Sequence, residues 1–243
     1  NPVAFPVKEM EVAVQKVLET NGVAALQYST TEGYEPLRAF IAKRYEKMGV
    51  NDVKPSDIII TNGSQQALDM LSAAMLDPGD EVVVENPTYL AALQSFHLYF
   101  PKVMPVELRN DGINCEELAA TLKAHQPKFM YIIPSFQNPT GLTYTPEVRE
   151  KAAAVIKNSN MLLIEDNPYS ELRFRGDGGY SFGRYLGEQC VMLGTFSKVV
   201  SPGMRIGWIC CRNEGLRAKL LAYKTTEDLH TNIFCQMVLA QYL

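Results

Sequence analysis

The stretch Gly194-Thr-Phe-Ser-Lys198-Val-Val-Ser-Pro-Gly-Met-Arg205-Ile-Gly-Trp208 decides how this chain is read. An apolar run, Cys190 to Leu193, precedes it, and a second, Ile206 to Cys211, follows it. That pattern predicts strand, loop, strand, with Lys198 in the loop. A lysine amine in a partly desolvated loop can lose its proton and attack a carbonyl. The hydroxyls of Thr195 and Ser197, with the guanidinium of Arg205, suit a phosphate beside it. A carbonyl compound that carries a phosphate satisfies both demands, and pyridoxal phosphate (PLP) is one. Taken alone, Lys198 is more often an ordinary solvated lysine.

Outward from this stretch, the same rhythm recurs. Short apolar runs near residues 58, 82, 104, 130, 162, 192 and 208 predict seven strands, most of them alternating with helical patterns. Helices are expected over residues 8–20, stopped by Asn21-Gly22, and from Leu37 to Met48, ended by Gly49. Ser64 is a good N-cap for a helix to about Met75, and Thr88 opens another to about Phe100. Further helices are expected over Cys115–His125, Pro146–Lys157 and Asn232–Leu243. The glycines of Gly176–Gly183 lack the spacing of a dinucleotide fingerprint and read as a flexible turn. Apolar strands separated by helices predict an α/β fold of three layers, α/β/α, around a mostly parallel seven-stranded sheet. Such sheets bind ligands beyond the carboxyl ends of their strands. Thr61-Asn62-Gly63, Asn86-Pro87, Pro134–Gly141, Asp166 and Thr195 all follow strands, so they are candidates to converge on one site.

Each of these segments carries usable chemistry. Gly63-Ser64-Gln65 opens a helix, where unpaired amides and the helix dipole suit an anion; an ordinary capped helix is the other reading. Asp166 ends an apolar strand, where a carboxylate can hold a proton on a pyridine nitrogen, or simply cap the turn before Asn167-Pro168. Tyr169 can donate its hydroxyl to a phenolic oxygen, and the amide of Asn138 can do the same from the Asn138-Pro139-Thr-Gly141 turn, where Pro139 is a candidate cis proline. Tyr89 can stack on a flat ring or fill a core.

Together these motifs resemble the class I/II aminotransferases of PLP fold type I, along essentially the whole chain. The resemblance rests on Tyr28 with Gly33, Gly63-Ser64-Gln65, Asn86-Pro87-Thr88-Tyr89, Pro134 to Gly141, Asp166 with Tyr169, and Thr195 to Arg205, in that order. Within the family the chain looks most like the 2-aminoadipate or kynurenine aminotransferase branch, from Gln137–Gly141, Asp166–Phe174 and Gly194–Lys198. The resemblance implies an amino-group transfer from an amino acid to a 2-oxo acid, through a Schiff base on Lys198. It assigns Asp166 to the pyridine nitrogen, Tyr169 and Asn138 to the phenolic oxygen, and Tyr89 to the ring face. It places the phosphate on Gly63, Ser64, Gln65, Thr195, Ser197 and Arg205. Tyr28 would reach the phosphate of a neighbouring subunit, which implies a homodimer with shared sites. It implies further that residues 1–243 are the PLP-binding large domain, with an N-terminal segment and a C-terminal small domain lying outside them. The small domain would carry the arginine that grips the substrate carboxylate. Two other functions fit the same motifs: the PLP-sensing domain of a winged-helix transcriptional regulator, and a PLP-dependent β-lyase.

Composition narrows the field. The net charge is −4 with no basic block, which argues against a nucleic-acid surface. Five scattered cysteines without a C-x-x-C pair suit a reduced cytoplasm. Three histidines without ligand spacing predict no metal site, and no apolar run approaches the length of a membrane span. Asn1-Pro-Val-Ala reads as the interior of a longer protein, and Asn232–Leu243 as a helix without a C-cap.

Overall fold

The computed structural model describes residues 5–176 and 178–243; the reading of Asn1-Pro-Val-Ala and of Asp177 within the glycine-rich loop lies outside the described residues. The helices are α1 (Val7–Ala25), α2 (Glu35–Lys47), α3 (Gly63–Met75), α4 (Leu90–His97), α5 (Cys115–Ala124), α6 (Pro146–Lys157), α7 (Gly183–Leu186), α8 (Glu214–Glu227) and α9 (Ile233–Tyr242). The strands are β1 (Ile58–Thr61), β2 (Glu81–Asn86), β3 (Lys102–Arg109), β4 (Gly112–Ile113), β5 (Phe129–Ile132), β6 (Leu162–Asp166), β7 (Cys190–Thr195) and β8 (Gly207–Cys210).

The strands form one sheet in the order β1-β8-β7-β6-β5-β2-β3-β4. Parallel pairing joins β3 to β2, β2 to β5, β5 to β6 and β6 to β7. Strand β8 runs antiparallel to both β1 and β7, and β4 antiparallel to β3. The sheet therefore has eight strands rather than the expected seven. The extra one, Gly112–Ile113, is two residues long, too short to carry a period.

Runs such as Val82-Val83-Val84 are apolar throughout because both faces of the sheet are covered. Ile59, Val82, Val84, Tyr131, Ile164 and Ile209 pack under α3, α4 and α8. Ile58, Ile60, Val83, Met130, Leu163 and Cys210 pack under α2, α5, α6 and α7. Each fully buried aliphatic side chain contributes roughly 1.5–3 kcal/mol relative to exposure. A third cluster joins Ala13, Val17 and Ala25 of α1 to Ile233, Met237 and Val238 of α9.

That third cluster corrects the expected stop at Asn21-Gly22. Asn21 leaves helical geometry (φ −138°, ψ 22°), yet helix resumes to Ala25 because Ala25 is buried with the α9 side chains. The pair is a kink. The cap of α3 also differs from expectation. Asn62 is its N-cap and Ser64 lies inside the first turn, since Gly63 (φ +77°) makes the bend from strand to helix. Gly176–Gly183 is only half a surface turn: Ser181 and Phe182 are buried, and the Ser181 amide donates to the Met48 carbonyl at 3.0 Å. Both Asn86-Pro87 and Asn138-Pro139 are cis. Among the described residues, no helix is long and apolar enough to cross a membrane.

Candidate active site

The carboxyl ends of β1, β2, β5, β6 and β7 open on one edge of the sheet. The antiparallel β8 begins at that same edge: Gly207 pairs with Thr61 on one side and Thr195 on the other. Arg205, just before β8, is thereby brought beside residues that follow strands. A cleft of about 530 Å³ lies there, lined by Ser64, Gln65, Tyr89, Ile133, Asn138, Asp166, Pro168, Tyr169, Thr195, Ser197, Lys198, Pro202 and Arg205. That is the size of a small-ligand site. The sequence places ten of these side chains there, from five separate segments. Gly63 is adjacent without lining the cleft, and Tyr28 lies away from it, exposed and edge-on to His230 at 6.0 Å.

At the floor is Asp166, 2% exposed. Its Oδ2 accepts from the Tyr131 hydroxyl at 2.8 Å, while its Oδ1 is buried with no partner. Burial raises this carboxyl to about 6; the Tyr131 bond opposes the shift, Glu165 beside it adds to it, and the Asn167 amide and Lys198 pull it back down. A buried carboxylate oxygen without a donor is costly, and a ligand N–H would satisfy it. Tyr169 has its hydroxyl pushed above the usual phenol range by burial, then by Asp166 and Tyr89, with a hydrogen bond from Asn138 opposing.

The other end of the cleft is built for an anion. The first turn of α3 points its amides there, and Asn62 does not cap them. A Cβ on Gly63 would lie 2.5 Å from Arg205 Nη2, so only glycine lets the guanidinium sit against this turn. Gly207 allows two backbone segments to meet, because a Cβ there would lie 2.6 Å from the Gly63 carbonyl carbon and 2.7 Å from the Ser64 nitrogen. Arg205 itself is left-handed (φ 54°), a conformation that costs a side-chain-bearing residue about 1–2 kcal/mol. Thr195 and Ser197 share a hydroxyl contact of 3.0 Å, and the Ser197 amide donates to Thr195 Oγ1 at 3.1 Å. The Gln65 carboxamide is engaged elsewhere, donating to Ser95 Oγ at 2.6 Å and to the Ala91 carbonyl at 3.2 Å. Its backbone amide in the first turn is what remains for an anion.

Two features escaped the sequence. Tyr131 sits in a run whose neighbours are all apolar, and a buried tyrosine hydroxyl requires a partner; that requirement was a usable signal. The second feature is Glu85, at the end of β2 and 1% exposed. It accepts from the Tyr144 hydroxyl (2.6 Å), Gln137 Nε2 (3.0 Å) and the Ile133 amide (3.2 Å). Gln137 Nε2 also donates to the Pro87 carbonyl at 2.8 Å. Glu85 thus ties the segment that carries Tyr89 to the turn that carries Asn138. Burial raises its carboxyl to about 7, against the three hydrogen bonds that favour the charged form.

The residues fit the PLP expected from the sequence. A residue lining the cleft has an orphaned, buried carboxylate oxygen that could accept from a ring N–H, one amine lines the cleft, and an uncapped helix turn with an arginine and two hydroxyls forms the anionic end.

Residues 4–240 match the family model for aminotransferase class I and II. The chain belongs to that family. It is 38% identical over its whole length to aromatic-amino-acid aminotransferase 1 of Thermococcus litoralis, covering 59% of that protein. It is 40% identical over its whole length to the 2-aminoadipate transaminase of Thermus thermophilus, covering 60% of it. The crystal structure of Pyrococcus horikoshii kynurenine aminotransferase in complex with PMP superposes with a TM-score of 0.94 at 38% identity, over 100% of this chain and 61% of that one. The chain therefore spans about 60% of the length of these class I/II aminotransferases.

Proposed function

We propose that this chain carries the PLP site of an aminotransferase that moves an amino group from an amino acid to a 2-oxo acid. The observation that carries the reading is the unpartnered Asp166 Oδ1 at the floor of a cleft with Lys198 as its amine. When bound, PLP supplies an aldehyde for an amine and a ring that withdraws electrons from the substrate carbon. Asp166 would hold the proton on the ring nitrogen, with Tyr131 holding Asp166. Tyr169 and Asn138 would donate to the phenolic oxygen, and Tyr89 would cover the ring. Ser64 and the Gln65 amide, with Thr195, Ser197 and Arg205, would bind the phosphate.

Lys198 then has two duties. Its Nζ would hold the cofactor aldehyde between turnovers and, once free, would act as the base that takes the proton from the substrate Cα. The aminoadipate, kynurenine and aromatic names of the relatives support a donor with a long or aromatic side chain. The chain would be the cofactor-binding large domain of a longer enzyme, as its share of the relatives' length supports. Tyr28, 78% exposed and outside its own cleft, would serve the site of a second subunit in a homodimer. All five cysteines are free thiols, which supports a reducing compartment such as the cytoplasm.

The test is covalent mapping in the whole protein. Borohydride reduction in the presence of PLP is expected to fix a pyridoxyl group on Lys198, found by peptide mass spectrometry. A label on another lysine, or none, would remove Lys198 from its role. Lys198→Ala should keep the fold and lose turnover.

A further inference from the structure

Among the described residues, four helices begin with an asparagine at the N-cap. Asn114, Asn213 and Asn232 each fold their side-chain oxygen back onto an amide of the first turn, that of Glu117, Leu216 and Cys235 respectively. This is what an N-cap asparagine ordinarily does. Asn62, at the start of α3, is the exception and makes no such bond. Its Nδ2 donates instead to Asp228 Oδ2 at 2.7 Å.

Asp228 is held for that purpose from behind. Lys224, with no exposed surface, donates to Asp228 Oδ1 and Oδ2 at 2.9 Å each. It also donates to Gln66 Oε1 at 3.2 Å and to Thr231 Oγ1 at 3.1 Å. Gln66 Nε2 donates to the same Asp228 Oδ2 at 2.8 Å, and Gln66 Oε1 accepts from the Asn62 backbone amide at 2.7 Å. Thr231 is anchored in turn on the Ile60 carbonyl of β1 at 3.1 Å. The whole set lies behind the helix turn, and none of Asn62, Gln66, Lys224 or Asp228 lines the cleft.

An asparagine free to rotate would close on the first-turn amides and compete with an anion for them. We propose that Asp228, braced by Lys224, is a positioning residue that withholds the Asn62 side chain from the α3 N-terminus, so that its amides stay open for the cofactor phosphate. The proposal rests on the PLP reading of the cleft.

The test compares PLP with pyridoxal, which lacks the phosphate, by titrating the visible absorption of the bound form in the whole protein. Lys224→Met with Asp228→Leu removes the pair without leaving a buried charge alone. In that variant PLP affinity is expected to fall roughly fivefold to tenfold, the size of one N-cap bond, while pyridoxal affinity stays within about twofold. Adding Asn62→Ala, which removes the competing side chain, should restore PLP affinity. Equal losses for PLP and pyridoxal, or no restoration, would overturn the proposal, because the network would then only hold the fold. Should the paired variant fail to fold, Asn62→Ala alone decides. It should leave the PLP-to-pyridoxal ratio unchanged, and a drop in that ratio would show the Asn62 side chain assisting the phosphate, contrary to the proposal. A wild-type protein that binds PLP no better than pyridoxal would overturn the PLP reading itself, a result distinct from any of these.

Discussion

Replacing Tyr131 by phenylalanine removes one hydroxyl from a fully buried position and takes from Asp166 Oδ2 its side-chain donor, beside an Oδ1 that already has no partner. The lost bond, 2.8 Å long and made to a carboxylate, is of the class worth about 1.5–3 kcal/mol. Because it favours the charged form, its loss raises the Asp166 carboxyl by about 1–2 units, at about 1.4 kcal/mol per unit. Starting from about 6, the carboxyl would titrate at about 7–8. At pH 7 the group then changes from mostly ionised to half or more protonated. A protonated Asp166 cannot accept from a pyridinium, so PLP affinity at pH 7 should fall by about twofold to tenfold from this cause, and recover toward wild type at pH 9. The primary assay is carboxyl ¹³C NMR of aspartate-labelled, cofactor-free protein, which reads the Asp166 titration directly. PLP titrations at pH 7 and 9 give the functional consequence. A Tyr131→Phe titration midpoint equal to or below that of the wild type would refute the reasoning, since the hydroxyl would then not be stabilising the carboxylate.

Other perturbations test neighbouring parts of the site. Gly207→Ala puts a Cβ within 2.6–2.8 Å of the Gly63 and Ser64 backbone, where no flexible side chain can yield. It should cost about 1–3 kcal/mol of stability in urea titrations and weaken PLP at least tenfold. Glu85 has a folded pKa raised from the ordinary 4.5 to about 7, so its stabilisation is full below about 4.5 and is lost as pH rises through about 7. For the cofactor-free protein this amounts to ~3 kcal/mol between pH 4.5 and 7. Denaturant titrations of Glu85→Gln should show a flatter dependence on pH across that window than the wild type. An identical slope in both proteins would show that Glu85 does not titrate there. Asp166→Ala should lose both PLP affinity and rate, and unchanged values of both would take Asp166 out of the site.

What was legible in the sequence was whatever the sheet imposes locally. Ile58-Ile-Ile, Val82-Val-Val and the run before Gly194 read as strands because both faces of this sheet are dry, which leaves the run apolar and bounded by turns. The residues after those strands read as a site for the same reason: parallel strands deliver their ends to one edge. Long-range pairings were not legible. Asn21-Gly22 looks like a stop until α9 supplies a surface for Ala25. Helix α8 has a lysine, Lys224, where its pattern calls for an apolar residue, because Asp228, Gln66 and Thr231 pair it there. Asn62 and Asp228 are 166 residues apart, and nothing local at either end announces the bond. Tyr131 and Glu85 are polar residues inside apolar strands. Each could be flagged as needing a partner, yet neither names its partner without the fold.

The central claim, that this cleft seats PLP on Lys198 for amino-group transfer, is tested most directly by one spectrum. The whole protein is mixed with PLP and its visible absorption recorded before and after adding 2-aminoadipate, kynurenine, glutamate or an aromatic amino acid, with the 2-oxo acid measured in parallel. A visible band that Lys198→Ala lacks, and that is lost in step with formation of an equal amount of 2-oxo acid, is the predicted result. A band that shifts or persists with no 2-oxo acid formed from any donor would contradict the claim.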